Sequence, residues 1–151
     1  MTSIEDRLLR LEAKEEIRDL LLAYCEALDG RDTQGFADLF TSDGEWTGGI
    51  GSSRTPAGIK AMLDNLFGQG TGRKLQAHHM IGNMMIKVDA DTATARSRWM
   101  WVTAAQDGRP VMTRGGRYED ELVREDGTWK FRRRQAINEY SDAMPAAGAD
   151  A

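Results

Sequence analysis

The stretch LQAHHMIGNMMIKVDADTATARSRWMWVTA, residues 75–104, decides how this chain folds. Before it, apolar residues recur every three or four positions; from residue 75 onward the period drops to two. The turn sequence DADT (89–92) divides the stretch into two strands, expected at about 76–88 and 92–105. Two further runs, 110–124 and 128–138, follow the turns AQDGRP (105–110) and EDGT (125–128), so the second half of the chain predicts an antiparallel meander.

Toward the N-terminus, Ile4, Leu8, Leu11, Ile17, Leu20, Leu21, Tyr24 and Leu28 mark one face of a long helix, with Gly30 as its expected stop. Asp32 suits the N-cap of a short helix through Phe36, Leu39 and Phe40. Thr55 and Pro56 open a third helix that runs through Ile59, Met62, Leu63 and Leu66 to Gly68. EWTGGIGSS (45–53) reads as a short strand entering a glycine-rich loop, and GQGTGRK (68–74) as a mobile loop. Residues 141–151, SDAMPAAGADA, read as a flexible tail after a single domain over 1–140. Helices first and a curved antiparallel sheet afterwards make an α+β fold. The expected form is a cone-shaped half-barrel with the N-terminal helices packed in the sheet and a ligand pocket at its open end.

Bulk properties remove several function classes. The formal net charge of −4 argues against nucleic acid or an anionic membrane as a partner. The basic run FRRRQ (131–135) is the local exception, read as a solvated strand end with some inward arginine rather than a phosphate patch. One cysteine, Cys25, allows no internal disulfide and favours a reducing cytoplasm. No apolar run approaches the roughly 20 residues of a membrane span. The N-terminus is too charged for a signal peptide, so a cytoplasmic protein is expected.

Two residues stand out for chemistry, His78 and His79, the only histidines of the chain. Strand neighbours point to opposite faces, so the pair cannot enter one cavity or share a metal. The sequence has no HExxH, HxH or cysteine cluster, and no metal site is expected. A satisfied core histidine is the commoner reading unless partners are at hand. Asp29 and Tyr24 could supply them from the end of the first helix, although five residues place them about 140° apart on an ideal helix. On spacing alone Asp29 reads as a turn residue, Tyr24 as a core aromatic and Cys25 as core packing. Met84, Met85, Trp99, Met100, Trp101 and Met112 read as core, pocket lining or oligomer contact.

EEIRDLLLAYCEALDGRDTQGFADLFTSDGEW (15–46), HHMIGN (78–83) and GRYEDELVREDGTWKF (116–131) resemble the SnoaL-like branch of the nuclear transport factor two-like superfamily. The likeness runs from residue 4 to about 138, with scytalone dehydratase and bile-acid dehydratase as the mechanistic parallels. It implies a cofactor-free lyase in which a histidine, oriented by a carboxylate from the first helix end, removes a proton beside a carbonyl. By this resemblance His79 is catalytic, His78 an outward bystander, Asp29 the orienting acid and Tyr24 a catalytic pocket residue, expected to hold a phenolate or enolate oxygen with Tyr118 or Arg98. Trp46 lies near the strand that holds the substrate carbonyl, two residues from the place of the carbonyl-binding tyrosine, here Gly48. A second acid/base residue of the relatives falls on Val102.

Alternation then expects Arg98 and Met100 to face inward with Val102, and Trp99 and Trp101 outward. It places Asn83 on the face of His79, and Arg114, Gly116 and Tyr118 inward on the following strand, with Tyr118 replacing a substrate-binding asparagine. The expected substrate is a hydrophobic hydroxylated aromatic or polycyclic small molecule, losing water or another small fragment such as formaldehyde. No cofactor is expected, and a homodimer or homotrimer through the outer sheet face is. A non-catalytic small-molecule-binding or assembly module, or an isomerase or cyclase of the same fold, are the alternatives.

Overall fold

The computed structural model describes residues 3–68 and 77–141. Helix α1 (Ile4–Gly30) begins at Ser3, whose hydroxyl accepts from the Asp6 N–H while the Asp6 carboxylate accepts from the Ser3 N–H, each at 3.0 Å. Its buried stripe is Ala13, Ile17, Leu20, Leu21, Tyr24 and Cys25. The expected stripe is thus covered only from Ala13 onward, and Ile4, Leu8 and Leu11 are exposed. The stop also differs from expectation. Gly30 stays helical and the chain reverses at Arg31, a non-glycine residue at φ 58°. Arg31 N–H donates to Leu28 O (3.2 Å) and Asp32 N–H to Ala27 O (2.8 Å), the paired bonds of a Schellman ending.

Asp32 caps α2 (Thr33–Asp38) by accepting from the Gly35 N–H at 2.8 Å. The helix is shorter than expected because Phe40 already belongs to β1 (Phe40–Gly48), in register with Phe131. The glycine-rich loop expected after β1 is instead a tight hairpin to β2 (Gly51–Arg54), followed by α3 (Pro56–Gly68). The four long strands fall where the period of two put them: β3 (Ala77–Asp89), β4 (Thr92–Ala104), β5 (Pro110–Glu125) and β6 (Thr128–Ser141). Beyond Gly68 the expected mobile loop lies outside the described residues, as does the tail after Ser141.

The strand order is β2-β1-β6-β5-β4-β3. Every neighbouring pair is antiparallel except β1–β6, so the sheet is mixed rather than wholly antiparallel. It is curved and unclosed, and wraps α1 to give an α+β cone. No helix among the described residues is long and apolar enough to cross a membrane. The core beneath α1 joins Ile17, Leu21 and Tyr24 to Phe36, Phe40, Leu122 and Phe131.

An ion pair sits inside that core. Within FRRRQ, Arg132 and Arg133 are exposed but Arg134 is fully buried. Its Nε and Nη2 donate to the two oxygens of Asp120 at 2.7 and 2.8 Å. Its guanidinium carbon lies 4.1, 4.2 and 4.3 Å from the ring centres of Tyr24, Tyr118 and Phe131. Burial works against the guanidinium charge, but Asp120 outweighs it and holds Arg134 above its ordinary value. Burial likewise pushes the Asp120 carboxyl up, against the pull of Arg134. Both carboxylate oxygens receive charged N–H donors, so the pair is an ionised bidentate bridge.

Removing one partner strands a charge. Asp120→Ala is expected to cost about 3–5 kcal/mol in urea unfolding, and Arg133→Ala less than about 0.5 kcal/mol. Similar losses in the two variants would show that Arg134 keeps its charge solvated some other way.

Candidate functional site

The C-terminal turn of α1 meets the start of β3, an edge strand of the sheet, through two hydrogen bonds to one carboxylate. The His79 backbone N–H donates to Asp29 Oδ2 at 2.7 Å, and the His79 ring Nδ1 contacts Asp29 Oδ1 at 2.6 Å. An ionised Asp29 only accepts, so Nδ1 carries the ring proton and Nε2 holds the lone pair. The two side chains are sheltered, 15% and 21% exposed. His78 is exposed on the opposite face, across from Val102.

A β-bulge fixes what lies opposite His79. The β3–β4 hairpin closes at Asp89 and Thr92, and unbroken pairing from there would set His79 across from Val102. Between Gly82 and Met85, however, β3 carries one residue more than β4, and Asn83 adopts φ 50°. The extra residue moves His79 across from Trp101, and Ile81 across from Trp99.

The face of β4 corrects further expectations, since its alternation buries Ala93, Ala95, Ser97 and Trp99 without a break. Trp99 and Trp101 face the cavity, whereas Arg98 and Met100 lie on the outer face. Arg98 pairs there with Glu139. Val102 is half-buried on the His78 side and does not line the cavity. Asn83 is likewise exposed on the outer face, because the parity of β3 flips at the bulge. Counting alternation along β3 cannot detect an inserted residue; an asparagine beside a glycine at 82–83 is the signal that could have.

The remaining expected residues converge. Tyr24, Asp29, Trp46, His79, Arg114 and Tyr118 all line one cavity of about 380 Å³. Asp29 reaches it with Tyr24, despite their angular separation, because it sits in the last turn of α1. His79 lies over an aromatic wall, 6.2 Å from Trp101 and 6.0 Å from Trp99 between ring centres, and Trp99 stacks on Tyr118 at 5.7 Å. Trp46 Nε1 donates to the Tyr24 hydroxyl at 2.8 Å. A Cβ on Gly48 would lie 2.5 Å from the Trp46 ring, so this indole occupies the space a side chain at 48 would take. Arg31, Phe67 and Asn138 also line it, and the sequence pattern marked none of them as site residues. Among the described residues no three His, Cys, Asp or Glu side chains gather to hold a metal.

The hydroxyls keep their protons. Burial pushes Tyr24 up to about 12, against the opposing pull of Arg134, and pushes Tyr118 well above the ordinary tyrosine value. The Cys25 thiol rises to about 11, again through burial, and cannot act as a thiolate near neutrality. Since Trp46 donates to Tyr24, the Tyr24 proton is available to a further acceptor. The site thus combines a carboxylate-oriented imidazole, neutral phenol donors and an apolar wall.

A model of the SnoaL-like domain matches residues 9–135. The chain belongs to this SnoaL-like family. An uncharacterized protein of Mycobacterium tuberculosis (strain ATCC 25618 / H37Rv) is 32% identical over 139 residues, covering 89% of this chain and 86% of that protein. The gamma-hexachlorocyclohexane dehydrochlorinase of Sphingobium indicum is 28% identical, covering 92% and 87%. Among solved structures, an NTF2-like protein with a cystatin-like fold from Novosphingobium aromaticivorans superposes with a TM-score of 0.76 at 27% identity, covering 97% and 96%. The SnoaL-like relatives therefore include a lyase, the dehydrochlorinase.

The buried tyrosine and thiol make stability depend on alkaline pH. Each binds its proton more tightly folded than unfolded, so their contribution is complete below the ordinary values of 9 and 10 and is lost as pH climbs through about 11 and 12. The urea midpoint should hold to about pH 8.5 and then fall, less steeply in Tyr24→Phe. An equal slope in that variant would contradict the burial of the hydroxyl.

Proposed function

We propose that the chain is a cofactor-free lyase in which His79, held by Asp29, serves as general base and then acid. The observation that carries this reading is the 2.6 Å contact between His79 Nδ1 and Asp29 in a tryptophan-walled cavity. Asp29 fixes the tautomer and stabilises the imidazolium that forms when Nε2 takes a proton. The electron pair of the broken C–H bond becomes the new C=C bond, and the leaving group departs from the neighbouring carbon with its own bonding pair. Where that group is hydroxide, His79 returns the proton and water leaves. Where the substrate bears a hydroxymethyl group, the base takes the hydroxyl proton, the C–C bond breaks and formaldehyde is released. The C–C electron pair then forms the C=C bond as a leaving group departs.

The 380 Å³ cavity and its aromatic wall suit a hydrophobic hydroxylated aromatic or polycyclic molecule. Tyr24 and Tyr118 would donate to a developing phenolate or enolate oxygen, and remain neutral donors because burial holds their protons. The dehydrochlorinase relative supports an elimination on this scaffold. With Trp101 opposite His79, the described lining holds one imidazole and one carboxylate. A single base that both removes and returns the proton favours departure of both groups from one face of the substrate. The same scarcity of ionisable groups favours, as the second reading, a non-catalytic small-molecule-binding module.

The test is a set of hydroxylated aromatic compounds followed by ultraviolet absorbance for new conjugation. On any compound turned over, His79→Ala should lower kcat by about 10²–10⁴-fold, while His78→Ala stays within about twofold. Equal effects in the two variants would overturn the assignment of His79. Compounds that the wild-type chain binds without turning over would favour the binding-module reading.

A further inference from the structure

The charged lining of the cavity is unbalanced. Arg114 shares the lining with one carboxylate, Asp29, and both oxygens of Asp29 are already occupied by His79. Arg31 lies over the Phe67 ring, 5.4 Å from its centre. Arg114 lies over Trp101 at the same distance, and no carboxylate of the described residues pairs with it. Arg98, Arg117, Arg124 and Arg134 each have an acidic partner. With 24 acidic residues against 20 basic ones, the chain as a whole repels anions, so a cationic rim here is not a by-product of overall charge.

Position gives this cation a use. His79, Trp101 and Arg114 are cross-strand partners in one row of β3, β4 and β5. Two strand spacings separate the imidazole from the arginine, roughly 10 Å along the sheet. A guanidinium lying on an indole keeps its N–H fork directed sideways, the geometry that grips a carboxylate with two bonds. Asn138, on the neighbouring strand β6, lines the same cavity and adds an uncharged amide donor.

We propose that Arg114, lying on Trp101 at the cavity rim, anchors a carboxylate of the substrate, so that the preferred substrates are anionic aromatic molecules. The aromatic ring stacks along Trp101 and Trp99, its carboxylate meets Arg114 and Asn138, and the reacting carbon faces His79 Nε2. This rests on the proposed use of the His79 cavity as the substrate site.

Binding tests it without turnover. Isothermal titration with 2-naphthoate and its neutral counterpart 2-naphthamide should show the wild-type chain preferring the carboxylate by about tenfold, with the preference shrinking as salt is raised. Arg114→Gln should erase the preference while leaving naphthamide affinity unchanged, and Arg114→Lys should retain part of it. Equal binding of the two ligands, no binding of either at millimolar concentration, or an equal loss of both in Arg114→Gln would each overturn the anchor. An inert chain that still prefers naphthoate would sink the lyase reading and leave the anchor standing. Turnover of neutral compounds with no preference in binding would do the reverse.

Discussion

Both oxygens of Asp29 are held by a single residue, and the geometry of the site follows from that grip. β3 is an edge strand, so a backbone N–H on its open side has no strand to pair with. At His79 the carboxylate of α1 takes that N–H at 2.7 Å and the ring nitrogen at 2.6 Å. One anion therefore seals a strand edge, fixes the helix against the sheet and orients the imidazole. The reversal at Arg31 makes this possible. Keeping Gly30 helical leaves Asp29 in the last turn, aimed across at β3. An arginine in the left-handed region costs about 1 kcal/mol relative to glycine, and here its side chain joins the cavity rim.

The fold was largely legible because its signals are periodic. The stripe of α1, the caps at Asp32 and Thr55–Pro56, and the period of two after residue 75 each reflect a local rule, and the elements stand where those rules put them. The parallel pairing of β1 with β6 was not legible, since it joins residues about ninety positions apart with no turn between them to set a register. The site divides along the same line. Asp29, Tyr24, Trp46, His79, Arg114 and Tyr118 converge as expected, each positioned by its own element. Asn83 does not, because the inserted residue reverses the faces of β3, and Arg98, Met100 and Val102 do not, because the inward phase of β4 was set from Val102 whereas its unbroken alternation buries Ala93, Ala95, Ser97 and Trp99. A strand's faces are set by parity, and a bulge changes parity without changing composition.

Beneath the cavity, the Arg134–Asp120 bridge gives the floor a charge distribution that an apolar core would lack. The guanidinium touches the faces of Tyr24 and Tyr118, and both residues line the cavity. Its pull lowers the tyrosine values, yet burial dominates and the phenols stay protonated. The cation is thus attracted to the ring quadrupoles while the phenols, without ionising, become better hydrogen-bond donors.

The place opposite His79 is where the consequences meet. Trp101 offers no titratable proton, but its ring stacks against the imidazole and carries Arg114. In the less polar medium such a wall creates, each remaining charge acts more strongly than it would in water. A second acid there would have to be desolvated beside Asp29, two negative charges with one imidazole between them. An indole removes that repulsion and leaves stabilisation of developing charge to neutral phenols and a rim cation. The arrangement therefore suits chemistry in which one proton moves at His79 and negative charge gathers on the substrate toward Tyr24 or Arg114.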